Sequence, residues 1–172
     1  MTKEKKLNLI RYAVWALFLL LAFLAQSTKG LAVKIGQAHL CFVIPTVICI
    51  CMFEKEKAGC WFGLAGGLLM DLTSPVIPGY NALMLLITGT AVGLLITNLL
   101  RNTLLTAFVF CSVSLFLYES FYWLFFVFLK GTVSPSGIYW SNYFMTFFWS
   151  TLLLVVPVYL IFRAVNKALR TA

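Results

Sequence analysis

The sequence predicts an all-α membrane protein with six transmembrane helices packed in one bundle. Two observations carry this prediction. Hydrophobic residues make up 62% of the 172 residues and charged residues only 10%, whereas a soluble domain is about half apolar and about a quarter charged. The apolar residues also gather in long runs separated by short polar or basic segments, which is typical of membrane helices. We therefore treat residues 1–172 as a single multi-pass membrane domain.

The apolar runs define the predicted spans. They cover residues 9–26, 38–53, 58–72, 80–100, 103–129 and 141–162. A helix needs about 20 residues to cross the ~30 Å hydrocarbon core, so the second and third runs are short and require packing inside the bundle. The first run has a basic start like that of a signal peptide, but it lacks a clean small-residue cleavage motif and five more runs follow.

The basic residues predict the orientation of these spans. With the N-terminus in the cytoplasm, ten of the thirteen basic residues fall on the cytoplasmic side: Lys3, Lys5, Lys6, Arg11, Lys55, Lys57, Arg101, Arg163, Lys167 and Arg170. Lys29, Lys34 and Lys130 fall on the other side. This split satisfies the positive-inside bias, so we expect both termini to be cytoplasmic. The same short clusters argue against a nucleic-acid-binding stripe, although the net charge is +8.

The third span carries small residues at a fixed interval. Gly59, Gly63, Gly67 and Asp71 follow one another every four residues, which places them on one broad face of a helix. Small residues on a face allow another helix to approach closely. In the fourth span, Gly89 and Gly93 share a face with Asn81. We predict that these five glycines form helix-packing or partner interfaces.

Three polar side chains lie at similar depth inside the predicted membrane. Asp71 ends the third span, the turn "TSPVIPG" follows, Asn81 opens the fourth span, and Glu119 lies in the fifth. A carboxyl group there costs roughly 2.5–3.5 kcal/mol even on the more lenient scale. We therefore predict an intramembrane polar cluster of Asp71, Asn81 and Glu119, in which Asp71→Asn is tolerated. A structural or partner-contacting role and a role in proton or cation coupling both remain open.

Catalytic and cofactor motifs are not evident in the chain. It has no nucleophile–base pair, no phosphate-binding loop and no metal-ligand spacing, and its five cysteines lie in or beside apolar runs without a CxxC pair. We expect no enzymatic activity, no cofactor and no metal. His39, at the edge of a span, is expected to be an ordinary interfacial side chain.

The block "GLAGGLLMDLTSPVIPGYNALMLLITGTAVGLL" resembles the central block of the MreD family of bacterial rod shape-determining membrane proteins. The matching residues are Gly63, Gly67, Asp71, Leu72, Gly79, Asn81, Ala82 and Gly89. The resemblance implies a non-enzymatic subunit of the peptidoglycan elongation machinery in the bacterial plasma membrane. The implied partners are an MreC-like membrane protein, the actin-like MreB, and a RodA-type polymerase with its penicillin-binding protein, besides membrane lipid.

The resemblance also implies a fold similar to the substrate-binding components of vitamin (ECF-type) transporters. A vitamin-type uptake subunit is therefore the alternative function. Such components show Ala-x-x-x-Ala in their first helix, whereas Ala13 and Ala16, like Ala22 and Ala25, are spaced by three residues here. This departure favours the cell-elongation subunit.

Overall fold

The structure is a computed structural model that describes residues 3–28, 34–35, 38–39, 41–73, 78–99, 102–125 and 145–171. Its fold class is all-α, as predicted. The described helices are α1 (Lys3–Ser27), α2 (Val43–Thr73), α3 (Tyr80–Asn98), α4 (Leu104–Trp123) and α5 (Met145–Thr171). Between α1 and α2, the two-residue strands β1 (Lys34–Ile35) and β2 (Ala38–His39) pair antiparallel, with Lys34 opposite His39.

Three of the described helical segments are long and apolar enough to cross a bilayer: Leu9–Ser27, Tyr80–Asn98 and Leu104–Trp123. Only 11% of the first segment and 33% of each of the others is buried inside the protein. Outward-facing Leu, Ile, Val and Phe side chains therefore cover much of their surface. Such a surface is compatible with the predicted membrane location, because lipid tails can contact it without the cost of hydrating it.

Helix α2 is a hairpin whose two arms pack against each other. The Sγ atom of Cys51 donates a hydrogen bond to the carbonyl oxygen of Gly59 at 3.7 Å. Further from the turn, a Cβ atom added to Gly66 would lie 2.7 Å from Cγ2 of Val47. A straight helix would separate residues 47 and 66 by about 28 Å at ~1.5 Å per residue, so the chain must reverse between them. We call Val43–Glu54 the first arm and residues 57–73 the second arm.

The first arm forms the centre of the protein. Val43, Val47, Cys49 and Ile50 are fully buried. The arm is 12 residues long and therefore about 18 Å in length, shorter than the hydrocarbon core. A short apolar segment of this kind needs protein on every side, which agrees with the packing expected for the short second run.

The first arm begins later than the predicted span 38–53. Its start is set by Gln26 of α1, whose Oε1 atom accepts hydrogen bonds from the backbone N–H groups of Phe42 at 3.0 Å and Val43 at 3.2 Å. These are among the first N–H groups of the helix, which have no acceptor within the helix itself. The interaction joins the end of α1 to the start of α2.

The other helices differ from the predicted spans at their ends. Helix α1 starts before the predicted 9–26, and α3 closely follows the predicted 80–100. Helix α4 begins after Thr103, whose side chain forms a reciprocal capping box with Thr106. The end of the predicted span 103–129 and the start of the predicted 141–162 lie outside the described residues. Helix α5 continues to Thr171.

The helices meet at two opposite ends of the bundle. At one end, which we call the Glu54 end, Glu54 Oε1 accepts hydrogen bonds of 2.7 Å from Arg11 Nε and from Trp15 Nε1 of α1. The Asn102 side chain before α4 donates to the carbonyl oxygen of Met52 at 3.0 Å, and the Tyr159 hydroxyl of α5 donates to the carbonyl oxygen of Asn102 at 3.4 Å. At the other end, which we call the Asp71 end, α2 turns into α3.

Candidate functional site

The second arm of α2 and helix α3 run antiparallel with their backbones in contact. A Cβ atom added to Gly59 would lie 2.8 Å from the carbonyl oxygen of Gly89, and one added to Gly63 would lie 2.5 Å from that of Leu85. A Cβ atom on Gly67 would collide with the Cα atom of Ala82. Every fourth residue of the second arm therefore faces α3, and each contact point has room only for glycine. We call this row the glycine seam.

The glycines of α3 occupy different positions relative to the seam. Gly89 faces Gly59 across it, and a Cβ atom added to Gly89 would lie 2.8 Å from the carbonyl oxygen of Gly59. Gly93 is buried one turn further along α3. Close backbone approach increases dispersion contacts that lipid tails would not supply between the same helices.

The seam ends at Asp71, whose carboxylate caps helix α3. Its Oδ2 atom accepts hydrogen bonds from the backbone N–H groups of Gly79 at 3.0 Å and Ala82 at 3.1 Å. Its Oδ1 atom accepts from the N–H group of Asn81 at 3.2 Å. Helix N-termini leave such N–H groups without intrahelical acceptors and carry a partial positive charge. Asp71 supplies both the acceptor and the opposite charge from a neighbouring helix.

The local backbone of the turn explains why the cap comes from outside α3. Gly79 occupies the N-cap position with φ 95°, in the left-handed region, and it has no side chain to cap the helix. A residue with a Cβ atom would be strained at this φ. The turn thus brings the first N–H groups of α3 to the carboxylate eight residues earlier in the chain.

The side chain of Asn81 points to α4 and not to Asp71. Its Oδ1 atom accepts a 2.6 Å hydrogen bond from the hydroxyl group of Tyr118, and Asn81 is only 3% exposed. Buried amide oxygens need a donor, because an unsatisfied one costs about 1–3 kcal/mol. Asn81 therefore joins the Asp71 cap, through its backbone, to α4, through its side chain.

Glu119 is the third predicted member of the polar cluster. It is buried, with 9% of its surface exposed, and it lies within electrostatic range of Tyr80, Tyr118 and Tyr122. No hydrogen bond joins Glu119 to Asp71 or Asn81 among the described residues. Of the three predicted cluster members, the structure thus brings Asp71 and Asn81 into contact and places Glu119 next to Tyr118, their neighbour.

Tyr118 is the site residue that sequence reasoning missed. The available signal was the spacing of Ala107, Cys111 and Ser114, which with Tyr118 form a stripe at intervals of three or four residues. The first three are buried, so the stripe identifies the face of α4 that turns to the protein. Tyr118 continues that face to the depth of Asn81.

The described residues contain no group of three or more His, Cys, Asp or Glu side chains placed to hold a metal ion. The site consists of one carboxylate bound to backbone N–H groups, one amide–phenol hydrogen bond and a close backbone contact. Such an arrangement fixes three helices relative to one another.

Comparison of the chain with protein-family models, with curated proteins and with solved structures finds no match.

Proposed function

We propose that this protein is a non-enzymatic integral membrane subunit of the bacterial peptidoglycan elongation machinery, similar to MreD, and that it acts through helix–helix contacts. The proposal rests on one observation. The residues Gly63, Gly67, Asp71 and Asn81, which are part of the resemblance to MreD, also form the contact between α2 and α3. All four hold α2 and α3 together through backbone contacts. The resemblance therefore falls on residues that build a rigid scaffold for partners.

A groove beside this scaffold is a suitable surface for a partner. It has a volume of about 710 Å³ and lies between α1 and the second arm of α2, with Asp71 and Gly79 at one end. Its remaining lining is apolar and includes the small residues Ala16 and Ala65. We propose that it receives a transmembrane helix of an MreC-like partner, because a segment in hydrocarbon must satisfy its own backbone and small residues allow close approach. MreB and a RodA-type polymerase with its penicillin-binding protein complete the proposed assembly.

The proposed topology has six passes in the bacterial plasma membrane and both termini in the cytoplasm. The α2 hairpin supports this topology, because its two arms run in opposite directions and can therefore count as two separate passes. The first part of α1 and the last part of α5 also lie at the same Glu54 end, which carries Arg11, Lys57 and Arg163. Reporter fusions after Lys57, Arg101 and Ala172 should all report a cytoplasmic position. An external signal at Ala172 alone would contradict six passes.

The geometry favours this function over a vitamin-type uptake subunit. An uptake subunit takes its substrate from the outside, which corresponds to the Asp71 end in the proposed topology. The groove at that end is lined almost entirely by apolar side chains. A polar cavity among the described residues lies instead at the Glu54 end, on the side of both termini.

Complementation tests the proposed function. The gene should restore rod shape to a rod-shaped bacterium depleted of its own MreD, and the tagged protein should capture MreC from the same cells. Ala65→Leu fills the groove and should reduce the capture, whereas Ala91→Leu, at an exposed position of α3 outside the groove, should not. Spherical cells despite normal amounts of membrane-inserted protein would reject the proposal. A vitamin that remains bound through purification would support the uptake alternative.

A further inference from the structure

A second cavity lies at the Glu54 end and has no part in the scaffold described above. Its volume is about 510 Å³, within the range of roughly 300–1,000 Å³ that is usual for ligand sites. The end of the first arm of α2, the end of α3, the start of α4 and the C-terminal half of α5 enclose it. Six polar side chains line it: Thr97, Asn102, Thr103, Tyr159, Arg163 and Asn166.

Two residues that line the cavity each carry a buried amide oxygen without a hydrogen-bond partner among the described residues. The two oxygens are Oδ1 of Asn102 and Oδ1 of Asn166. Asn166 as a whole is only 9% exposed. The amide nitrogen of Asn102 is already bound to the carbonyl oxygen of Met52, so its oxygen is the side-chain atom that still lacks a partner. Because buried acceptors without a donor are costly, this pair calls for a ligand that donates hydrogen bonds.

One side chain in the lining of the cavity, that of Arg163, is positively charged. Arg163 is exposed and lies on the same face of α5 as Tyr159 and Asn166, at intervals of four and three residues. No carboxylate lines the cavity among the described residues, and Glu54 at this end is paired with Arg11. The guanidinium group can therefore bind an anionic group, and phosphate matches its planar donor geometry. The ligand should combine an anionic oxygen group with hydroxyl donors.

The surroundings of the cavity indicate where such a ligand comes from. Leu104 lines the cavity and is 37% exposed. Leu99 and Leu105, before and after it in the sequence, are more than two-thirds exposed. The polar cavity thus opens beside an apolar outer surface of the kind that lipid tails cover. A basic pocket between membrane helices at the level of the head groups is a known type of anionic-lipid site.

We propose that this cavity binds the head group of a phospholipid in which a phosphate and hydroxyl groups lie together, as in phosphatidylglycerol. The phosphate binds Arg163, and the glycerol hydroxyls donate to the amide oxygens of Asn102 and Asn166. A soluble polyol phosphate has the same chemistry, and the experiment separates the two sources. The proposal is independent of the assembly that the protein joins.

The test is thermal unfolding of the full chain in detergent with added short-chain lipids. Phosphatidylglycerol should raise the unfolding temperature in a saturable way. Phosphatidylcholine with the same acyl chains should give a much smaller shift, because its phosphate can still bind Arg163 but its trimethylammonium group has no N–H or O–H donor for the amide oxygens. Glycerol 3-phosphate is the third probe. If it reproduces the effect of phosphatidylglycerol, the site takes its phosphate ester from solution, and if it has no effect, the source is the lipid.

Variants locate the effect in the cavity. Arg163→Gln should raise the phosphatidylglycerol concentration needed for half of the shift about tenfold, the loss expected for one charge-assisted hydrogen bond. Asn166→Leu should act in the same direction. Lys57→Gln is the control for Arg163→Gln, and Asn98→Leu is the control for Asn166→Leu. Both control residues are exposed and lie outside the cavity, so both variants should leave the shift in unfolding temperature unchanged.

Two results would overturn the proposal: equal shifts with phosphatidylglycerol and phosphatidylcholine, or an unchanged half-saturation concentration in Arg163→Gln. Arg163 is exposed, so its substitution does not create a cavity in the core, and this variant decides the question even if Asn166→Leu fails to fold.

Discussion

The Oδ2 atom of Asp71 accepts a 3.1 Å hydrogen bond from the backbone N–H group of Ala82, so the last turn of α2 caps the first turn of α3. The same carboxylate also accepts from the N–H groups of Gly79 and Asn81. The segment from Met70 to Ala82 therefore contains both a helix N-terminus and its cap. The Asp71 carboxylate thus has a structural role as the cap of α3.

The first prediction concerns this cap. Asp71→Leu removes all three acceptor interactions and should lower the free energy of unfolding by about 1–3 kcal/mol. Asp71→Asn should have an intermediate effect, because one of its two terminal atoms becomes an N–H₂ group that faces an N–H donor. The sequence alone predicts that the amide is tolerated, because it does not show the three backbone donors that meet the carboxylate. Unfolding in detergent, followed by helical circular dichroism, measures both changes.

Thr73→Val is the control for the Asp71 variants. It removes a hydroxyl group in the same turn of α2 that donates only to the carbonyl oxygen of Met70. Its stability should stay close to that of the wild type. If Asp71→Leu were no less stable than Thr73→Val, the cap would contribute nothing.

The second prediction compares two adjacent glycines. Gly67→Ala places a methyl group on the backbone of α3, 2.5 Å from the carbonyl oxygen of Asn81. Backbone cannot move aside without separating the helices, so we expect a loss of about 1–3 kcal/mol, as for overpacked cores. Gly66→Ala meets a side-chain methyl of Val47 at 2.7 Å and should cost less. Chemical unfolding of the two proteins in the same detergent should rank them in this order, and the reverse order would contradict the seam.

The third prediction concerns the hydrogen bond between Tyr118 and Asn81. Tyr118→Phe leaves the buried oxygen of Asn81 without its donor and should cost about 1–3 kcal/mol. In the background of Asn81→Leu the same substitution should cost much less, because the partner is already absent. Tyr12→Phe, at a residue that is 45% exposed, is the control. Equal losses in both backgrounds would show that the two groups do not interact.

The fourth prediction concerns the ion pair of Arg11 and Glu54. Their side chains are 17% and 7% exposed, and Trp15 also donates to Glu54. Arg11→Met leaves a poorly hydrated carboxylate and should destabilise the protein by up to about 3–5 kcal/mol, the range for a broken buried pair. The double variant Arg11→Met/Glu54→Gln should recover part of this loss. Lys57→Met, at an exposed position near the same turn, should be close to neutral, and no recovery in the double variant would contradict the pairing.

The four residues "EKEK" show where sequence patterning misleads. As a charged cluster between two apolar runs, they are typical of a solvated turn that sets topology. Lys57 is exposed in agreement with this interpretation, but the Glu54 side chain is buried against α1. Arg11 and Trp15 lie 43 and 39 residues away along the chain. Local patterning carries no information about contacts at that separation.

Composition and local periodicity are enough to predict the fold class, the positions of the long apolar helices, the face on which the glycines align, and the closeness of Asp71 to Asn81. These features depend on composition and on periods of three to four residues, and therefore on local chain geometry. Which atoms come into contact depends on the packing of the helices. Asp71 binds backbone N–H groups that every residue except proline possesses, so no side-chain pattern could reveal them, and Asn81 turns to a tyrosine 37 residues away. The cavity at Arg163 likewise exists only because four helical segments that are distant in sequence converge there.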